Sequence, residues 1–355
     1  MARTQSWFRS ALVSGLSAVL ACSGSEPSDG LEARPELVYA ERDQRTLRWS
    51  IQGYRDGLGS YEIVPGPKNV PRPATPWTKM RPTTGELLYS AEDPRNGRYI
   101  LLNPSSGEFS RPALPDNVVS WSPTGDLLTA FTVNGLQVVT LDGTVRGTIC
   151  SGPFICEPVE WTPSGDAVIV ARRLGAGLFD LWRVPVDGGA AVNLTGTEGE
   201  SESAASHSPD GRYLAYSRST APPDRPGEHD VWVAGADGTD PRQLIAPANP
   251  WDRGTLPWSP DGSSLAVYGS VGDQSGVVVV PITGELRLIS PGEVLGIPSD
   301  IDWSPDGNRL AYTAWDTAES RVPGVFLINR DGTGRRLLNR RNHDAATPHW
   351  LPPQP

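Results

Sequence analysis

Two cysteines in the middle of the chain form a pair whose type and spacing could support chemistry. Cys150 and Cys156 flank Ser-Gly-Pro-Phe-Ile, a turn-rich stretch. Such a pair can form a disulfide, ligate a metal or remain as two free thiols. None of the four histidines is close enough in sequence to complete a zinc set with them. If the protein is exported, we expect a disulfide between Cys150 and Cys156 that staples a surface loop.

The N-terminus carries the features of an export signal. Residues 1–9 hold two arginines and no acid, residues 10–21 are apolar or small, and Cys22 comes next. An apolar run of about a dozen residues falls short of the roughly 20 that a transmembrane helix needs. The motif VLAC that ends at this cysteine resembles a bacterial lipobox, which implies a lipoprotein signal peptide over residues 1–21 and lipidation of Cys22. The alternative is an ordinary secretory signal.

The segment after the signal predicts how the protein is anchored. Residues 22–35 are rich in Ser, Gly, Glu and Pro, which indicates a flexible tether. Ser23, in place of an acidic residue, implies by the lipobox resemblance the outer membrane, facing the periplasm or the cell surface. The chain has a formal net charge of −10, and such a surface repels nucleic acid and anionic headgroups. We therefore expect membrane contact through the lipid only and no nucleic-acid partner.

Composition and periodicity together predict an all-β fold. Glycine and proline number 38 and 35 among 355 residues, and 12 tryptophans supply large apolar anchors. No segment after the signal shows sustained helical spacing of apolar residues. One unit recurs instead, as in VEWTPSGDAVIVA and IDWSPDGNRLAY, with its Trp or His anchor at residues 77, 121, 161, 207, 258, 303 and 350. Repeat lengths in the forties are typical of β-propellers.

The residue types of the unit explain its local structure. In Ser-Pro-Asp-Gly the proline sets φ and the glycine takes a positive φ, so this segment is a turn between antiparallel strands. An Asp-Gly or Gly-Gly pair then makes a second hairpin connection. Each unit thus predicts a four-stranded blade, with its tryptophan buried between neighbouring sheets.

The succession of WSPDG, LAY, DG and RLI closely resembles the WD40-like repeats of the TolB propeller family over residues 36–352. We expect no counterpart of the α/β domain that precedes the propeller in TolB, so the roles of that domain are not carried over. We expect a single propeller domain over residues 36–355. The last unit has only a first strand, and residues 36–41 resemble a second strand. Pairing residues 348–351 with residues 36–41 would complete a seventh blade, and six blades is the alternative.

The loops that lead into the tryptophan strands carry carboxylates. Because the innermost strand of a blade lines the channel, these loops open on one face around the axis. The residues are Asp116, Glu200, Glu202, Asp252, Asp300 and Asp344. The family resemblance implies a structural role in which they bond loop amides. The alternative is an acidic rim that recruits a basic peptide or a cation by charge complementarity.

The sequence contains no familiar catalytic motif. G-x-S-x-G, the P-loop, H-E-x-x-H, the EF-hand loop and the dinucleotide fingerprint are all missing. We therefore expect no catalytic residue, no cofactor and no metal site. The function favoured is a monomeric, envelope-anchored scaffold that binds a protein or peptide. The alternative is a propeller lyase or lactonase acting on a saccharide or small ester, which would need a metal or convergent histidines at the channel.

Overall fold

The computed structural model describes most of the chain after the N-terminal segment. The described residues are 34–64, 70–92, 98–152, 154–174, 178–219, 229–248, 256–290, 300–315, 322–340 and 343–353. All regular secondary structure in these ranges is β-strand, which confirms the all-β fold class. No described segment forms a helix of the length and apolarity that crossing a membrane requires.

The strands group into seven antiparallel blades, numbered here along the chain. Blade 1 contains β1 (Leu37–Arg42), β2 (Trp49–Arg55) and β3 (Gly59–Val64). Blade 2 contains β4 (Pro73–Met80), β5 (Leu87–Ala91), β6 (Tyr99–Leu102) and β7 (Phe109–Ser110). Blade 3 contains β8 (Asn117–Trp121), β9 (Leu127–Thr132), β10 (Gly135–Thr140) and β11 (Val145–Cys150). Blade 4 contains β12 (Phe154–Trp161), β13 (Ala167–Leu174), β14 (Asp180–Pro185) and β15 (Val192–Asn193). Blade 5 contains β16 (Ser201–His207), β17 (Tyr213–Ser219), β18 (His229–Gly235) and β19 (Arg242–Ala248). Blade 6 contains β20 (Ser264–Val271), β21 (Gln274–Pro281) and β22 (Arg287–Leu288). Blade 7 contains β23 (Ile301–Trp303), β24 (Arg309–Trp315), β25 (Pro323–Asn329) and β26 (Arg336–Leu337). The last strand, β27 (Asp344–Trp350), belongs to blade 1.

Blade 6 departs from the regular pattern at its first strand. The tryptophan strand is reduced there to a bridge between Trp258 and Leu265. A pairing of Ala248 with Gly269 joins β19 to β20 and links this blade to blade 5. The other six blades each have four strands, in sequential order in blades 2, 3, 4, 5 and 7. The seven-blade prediction is confirmed.

The ring closes through strands from the two ends of the chain. β27 pairs with β1, and Trp350 lies opposite Leu37 in that register. The Leu351 amide also donates to the Glu36 carbonyl at 2.9 Å. Blade 1 therefore has the order β27-β1-β2-β3, as the sequence predicted.

Each anchor residue ends its strand at the same place in the repeat. Trp121 pairs with Leu128, Trp161 with Val168 and His207 with Leu214. The turn that follows Trp121 is closed by the Gly125 amide, which donates to the Ser122 carbonyl at 2.9 Å. Gly125 has a φ of 72°, a conformation that a side chain disfavours. This local chemistry fixes the hairpin at the start of each blade.

Trp77 is not the anchor of blade 2, contrary to the sequence expectation. Met80 pairs with Leu87, the register that the anchors of other blades adopt. The pairing of β4 shifts between Pro73 and Thr78, so the strand is irregular where Trp77 lies. Trp77 is 61% exposed, while Met80 packs against the core. The prediction that Trp77 is the anchor was wrong because, at the bulge, its indole lies outside the interface between blades.

Indole hydrogen bonds from three of the anchor tryptophans, Trp121, Trp258 and Trp303, also join one blade to the previous one. The indole N–H of Trp258 donates to the Ser206 carbonyl at 3.0 Å, and that of Trp303 donates to the Pro257 carbonyl at 3.2 Å. The residue before an anchor bonds to the next blade instead: the Asp302 carboxylate in blade 7 accepts a hydrogen bond from the Trp350 amide in blade 1 at 2.8 Å. These polar contacts occur next to apolar clusters that span neighbouring blades. These bonds join the inner strands of neighbouring blades directly.

Antiparallel order gives the propeller two distinct faces. The turn from first to second strand and the turn from third to fourth strand lie at one end of the blade, here called the turn face. The connections from second to third strand and from blade to blade lie at the other end, the loop face. The rim carboxylates within the described ranges and both central cysteines belong to loop-face segments.

Candidate binding site on the loop face

Two of the predicted rim carboxylates, Glu200 and Glu202, share a single arginine. The Arg218 guanidinium lies 3.1 Å from Glu200 and 3.0 Å from Glu202. Glu202 is fully buried and also accepts the Thr197 hydroxyl at 2.8 Å. Burial raises the pKa of Glu202, and the neighbouring hydroxyl and guanidinium partly offset that effect. This pair of acids therefore holds Arg218 in place.

The other described rim acids also have partners in the chain. Asp116 forms an exposed ion pair with Arg98 at 3.0 Å, and Asp344 lies 3.5 Å from Arg42. Asp300 accepts the backbone amide of Thr347 at 3.2 Å.

Two of the predicted functional residues are outside the described ranges. They are Asp252 and Cys22. Arg34, near the end of the predicted tether, donates from its guanidinium to the Pro352 carbonyl at 2.7 Å. The expected capture of a basic partner by the rim stays a prediction, as does lipidation.

A disulfide joins the end of blade 3 to the beginning of blade 4. Cys150 is the last residue of β11, Cys156 lies in β12, and their Cα atoms are 6.4 Å apart. The β9–β10 hairpin tip lies directly against this loop, because a Cβ on Gly135 would clash with the Cys150 carbonyl oxygen. The loop and the hairpin therefore form one continuous surface.

That surface contains an open pocket of about 380 Å³ lined by both apolar and polar groups. Its walls include Phe131, Val133, Leu136, Phe154 and both cysteines of the disulfide. Phe131 is 38% exposed and Val133 is fully exposed at the hairpin tip. Exposed apolar surface of this kind often marks an interaction site. Sequence reasoning missed it, although a valine at the tip of a Val-Asn-Gly turn was a usable signal.

An arginine held between two aromatic rings lies next to the pocket. The guanidinium carbon of Arg172 is 3.3 Å from the centre of the Phe154 ring and 4.8 Å from that of Trp182. Burial lowers the pKa of Arg172. Phe154 also lines the pocket, so one aromatic ring contacts both Arg172 and the cavity.

The histidines of the inner ring and loop face serve structural contacts. His207 pairs through Nδ1 with Glu160, and the same carboxylate accepts the His207 amide. His343 pairs through Nδ1 with the buried Glu41 at 2.8 Å. Among the residues that the structure describes, no three His, Cys, Asp or Glu side chains group closely enough to hold a metal ion.

Comparison with known proteins places the chain by its fold. No family model matches the sequence, and no curated protein matches it. TolB from Acinetobacter baumannii is 18% identical with a TM-score of 0.46, over 71% of this chain and 65% of TolB. The chain therefore spans just under two thirds of that protein. The seven-bladed propeller that the resemblance to TolB repeats predicts is present in the structure itself.

Two enzymes are also among the similar solved structures. Puromycin hydrolase, as an S511A mutant complexed with PGG, is 18% identical with a TM-score of 0.59, over 89% of this chain and 54% of that one. An oligogalacturonate lyase in complex with manganese is 16% identical with a TM-score of 0.56, over 89% and 87%. These likenesses show the fold that the proteins share.

Proposed function

We propose that this protein is a non-catalytic scaffold of the cell envelope that binds a protein or peptide on the loop face of its propeller. The observation that carries the proposal is the open pocket between the β9–β10 hairpin and the disulfide loop, with exposed apolar side chains at its wall. Phe131, 38% exposed, and the fully exposed Val133 offer apolar surface there.

The frame around the pocket favours binding because it is already ordered. Gly135 packs against the Cys150 backbone, and the disulfide ties that loop to the inner strand of blade 4. A surface that is organised before binding loses little conformational entropy when a partner docks. The pocket thus suits recognition of an apolar side chain from a partner.

The envelope location rests on the N-terminal signal and the cysteine chemistry. Disulfides persist in oxidising compartments, and the Cys150–Cys156 pair fits export from the cytoplasm. We propose that Cys22 is lipidated after cleavage, that residues 22–35 serve as the tether, and that the anchored monomer faces the periplasm or the cell surface from the outer membrane.

A photo-crosslinking amino acid at position 133 tests binding on the loop face. We expect a specific crosslinked partner in intact envelopes from this position, and none from Ser164 on the turn face, which is also exposed. The partner, once identified and purified, should bind the full chain directly. Equal products from both positions, or no direct binding, would contradict the proposal.

A propeller enzyme is the second candidate, favoured by the fold likeness to puromycin hydrolase and oligogalacturonate lyase. Metal analysis of the purified protein and a screen of hydrolase and lyase substrates separate the two functions. Turnover together with a stoichiometric, tightly bound metal would replace the scaffold by an enzyme.

A further inference from the structure

Two neighbouring blades place an arginine over a tryptophan at the same point of the repeat. In blade 4, Trp182 pairs with the residue two before Arg172. In blade 5, Trp232 pairs with the residue two before Arg218. The guanidinium carbons lie 4.8 Å and 4.3 Å from the respective ring centres. Arg172 and Arg218 are therefore structural equivalents.

The two arginines differ in what the first strand of the blade places opposite them. Glu202 lies opposite Arg218 in register, and Cys156 lies opposite Arg172. Two residues earlier, Glu200 corresponds in the same way to Phe154. Both carboxylates that hold Arg218 are thus replaced in blade 4, one by a phenyl ring and the other by half of the disulfide.

Arg172 consequently keeps its aromatic contacts but lacks the ion pairs. Among the described residues, none accepts a hydrogen bond from its guanidinium, and its Nε is buried without a partner. Asp180, opposite Arg172 in register, instead accepts the Asn193 side-chain amide at 3.0 Å and the Thr197 backbone amide at 3.2 Å. A guanidinium has five donors, and leaving them without acceptors in a partly buried site is unfavourable.

We propose that Arg172 is the anchor for a carboxylate of a bound acidic peptide, and that an apolar side chain next to this carboxylate enters the pocket beside the disulfide. The inference rests on the proposed binding function and names the chemistry of the ligand. The fork of a guanidinium matches a carboxylate in two parallel hydrogen bonds. Blade 5 contains the same arrangement within the chain, where Glu200 and Glu202 occupy the equivalent site.

Selection of random seven-residue peptides on the full chain tests the ligand class. We expect the selected peptides to carry Asp or Glu beside an apolar residue. Replacing that acid by its amide should weaken binding by about 10- to 100-fold, the range for a charged hydrogen bond. In Arg172→Gln the acidic and amide peptides should bind equally, an outcome that a general structural role of Arg172 would not produce.

Two further variants sharpen the test. Phe154→Glu supplies a carboxylate at the position of Glu200, so it should occupy Arg172 from within and abolish the preference for acidic peptides. The matched Phe154→Gln variant should keep that preference. Arg183→Gln, which removes the pairing of this blade 4 arginine with Asp166, should leave peptide binding unchanged.

The outcomes separate this inference from the proposed function. Peptides without an acid that crosslink at position 133 would overturn the carboxylate site while leaving loop-face binding in place. A preference for phosphoserine over glutamate in the same peptides would overturn it in favour of a phosphate ligand. Persistence of the difference between acidic and amide peptides in Arg172→Gln would also overturn it.

Discussion

Leu37 and Trp350 lie opposite each other in the blade that closes the ring, although they come from the two ends of the described chain. Both side chains are buried in one apolar cluster with Tyr39 and Val325. Arg309 adds a cation–π contact, its guanidinium carbon 4.7 Å from the centre of the Trp350 ring. The closing contact is therefore part of the core as well as part of the sheet.

Trp350→Ala should lower the free energy of unfolding by about 3–5 kcal/mol, because it removes a large buried ring at this seam. Trp77→Ala is the matched control, since the same substitution at an exposed indole should change stability by no more than about 0.5 kcal/mol. Urea denaturation of both variants measures the difference. Equal losses would contradict the closing role of Trp350.

Asp302 should make the stability of the ring depend on pH. Burial raises the pKa of Asp302 from its ordinary value to about 7, and the hydrogen bond from the Trp350 amide opposes that rise. The folded state then binds more protons than the unfolded state between about pH 4 and pH 7. Its free energy of unfolding consequently falls as the pH rises through this window.

The Asp302→Asn variant should lack that fall, so its stability relative to the natural protein should increase from pH 4 to pH 7. One pKa unit corresponds to about 1.36 kcal/mol, which sets an upper limit of about 4 kcal/mol for the gain. Asp306→Asn is the control, because the Ser304 hydroxyl holds the pKa of Asp306 below its usual value. The stability of this variant relative to the natural protein should therefore decrease as the pH rises. Denaturation curves at several pH values decide, and parallel profiles would contradict the assignment.

Loss of the disulfide should affect the pocket more than the fold. Replacing Cys150 and Cys156 by serine removes a cross-link that closes only a short loop, so the chain-entropy model gives a cost of about 2 kcal/mol. Partner binding should weaken as well, because the loop packs against Gly135 at the pocket wall. Thermal unfolding and binding assays on the same variant test both effects. Unchanged binding would show that the staple is unimportant for recognition.

Glu202→Ala should be strongly destabilising, by about 3–5 kcal/mol, since it removes a buried carboxylate that faces Arg218. Asp116→Ala removes an ion pair whose acid is 76% exposed, and it should cost less than about 1 kcal/mol. Chemical denaturation distinguishes the two positions. Similar losses would mean that burial does not separate the structural acids from the surface ones.

The acidic rim has its own test. Asp252→Asn combined with Asp344→Asn should weaken capture of a basic partner and reduce its dependence on salt, because charge complementarity acts mainly on encounter. Asp187→Asn on the turn face serves as the control. Identical binding and salt dependence in the double variant would count against the rim.

The repeat was sufficient to predict the blades because its turn residues act locally. Ser-Pro-Asp-Gly fixes a hairpin wherever it occurs, and the pairing of Trp303 with Leu310 follows directly from it. The anchor of blade 2 was predicted wrongly at Trp77 because a bulge shifts the register of β4, and such a bulge depends on packing. In blade 6 the same turn chemistry formed, while the strand before it shortened to a single bridge at Trp258.

The candidate site was harder to predict because it depends on contacts across strands. Phe154 and Cys156 attract notice in sequence as a hydrophobic residue and a cysteine. Only the register shows that they occupy the positions of Glu200 and Glu202 in the next blade. Whether Arg172 has an acidic partner depends on the residues opposite it in the neighbouring strand, so no local motif could predict that it has none.

The two-ended blade also constrains how the protein can mature. β1, β2 and β3 are made first, yet β1 lacks its partner strand until β27, at the far end of the chain, has been synthesised and delivered. Blade 1 therefore cannot be completed, and the edge of β1 stays unpaired, until β27 is present. Truncation by even the last few strand residues would leave that edge permanently available for pairing with another chain.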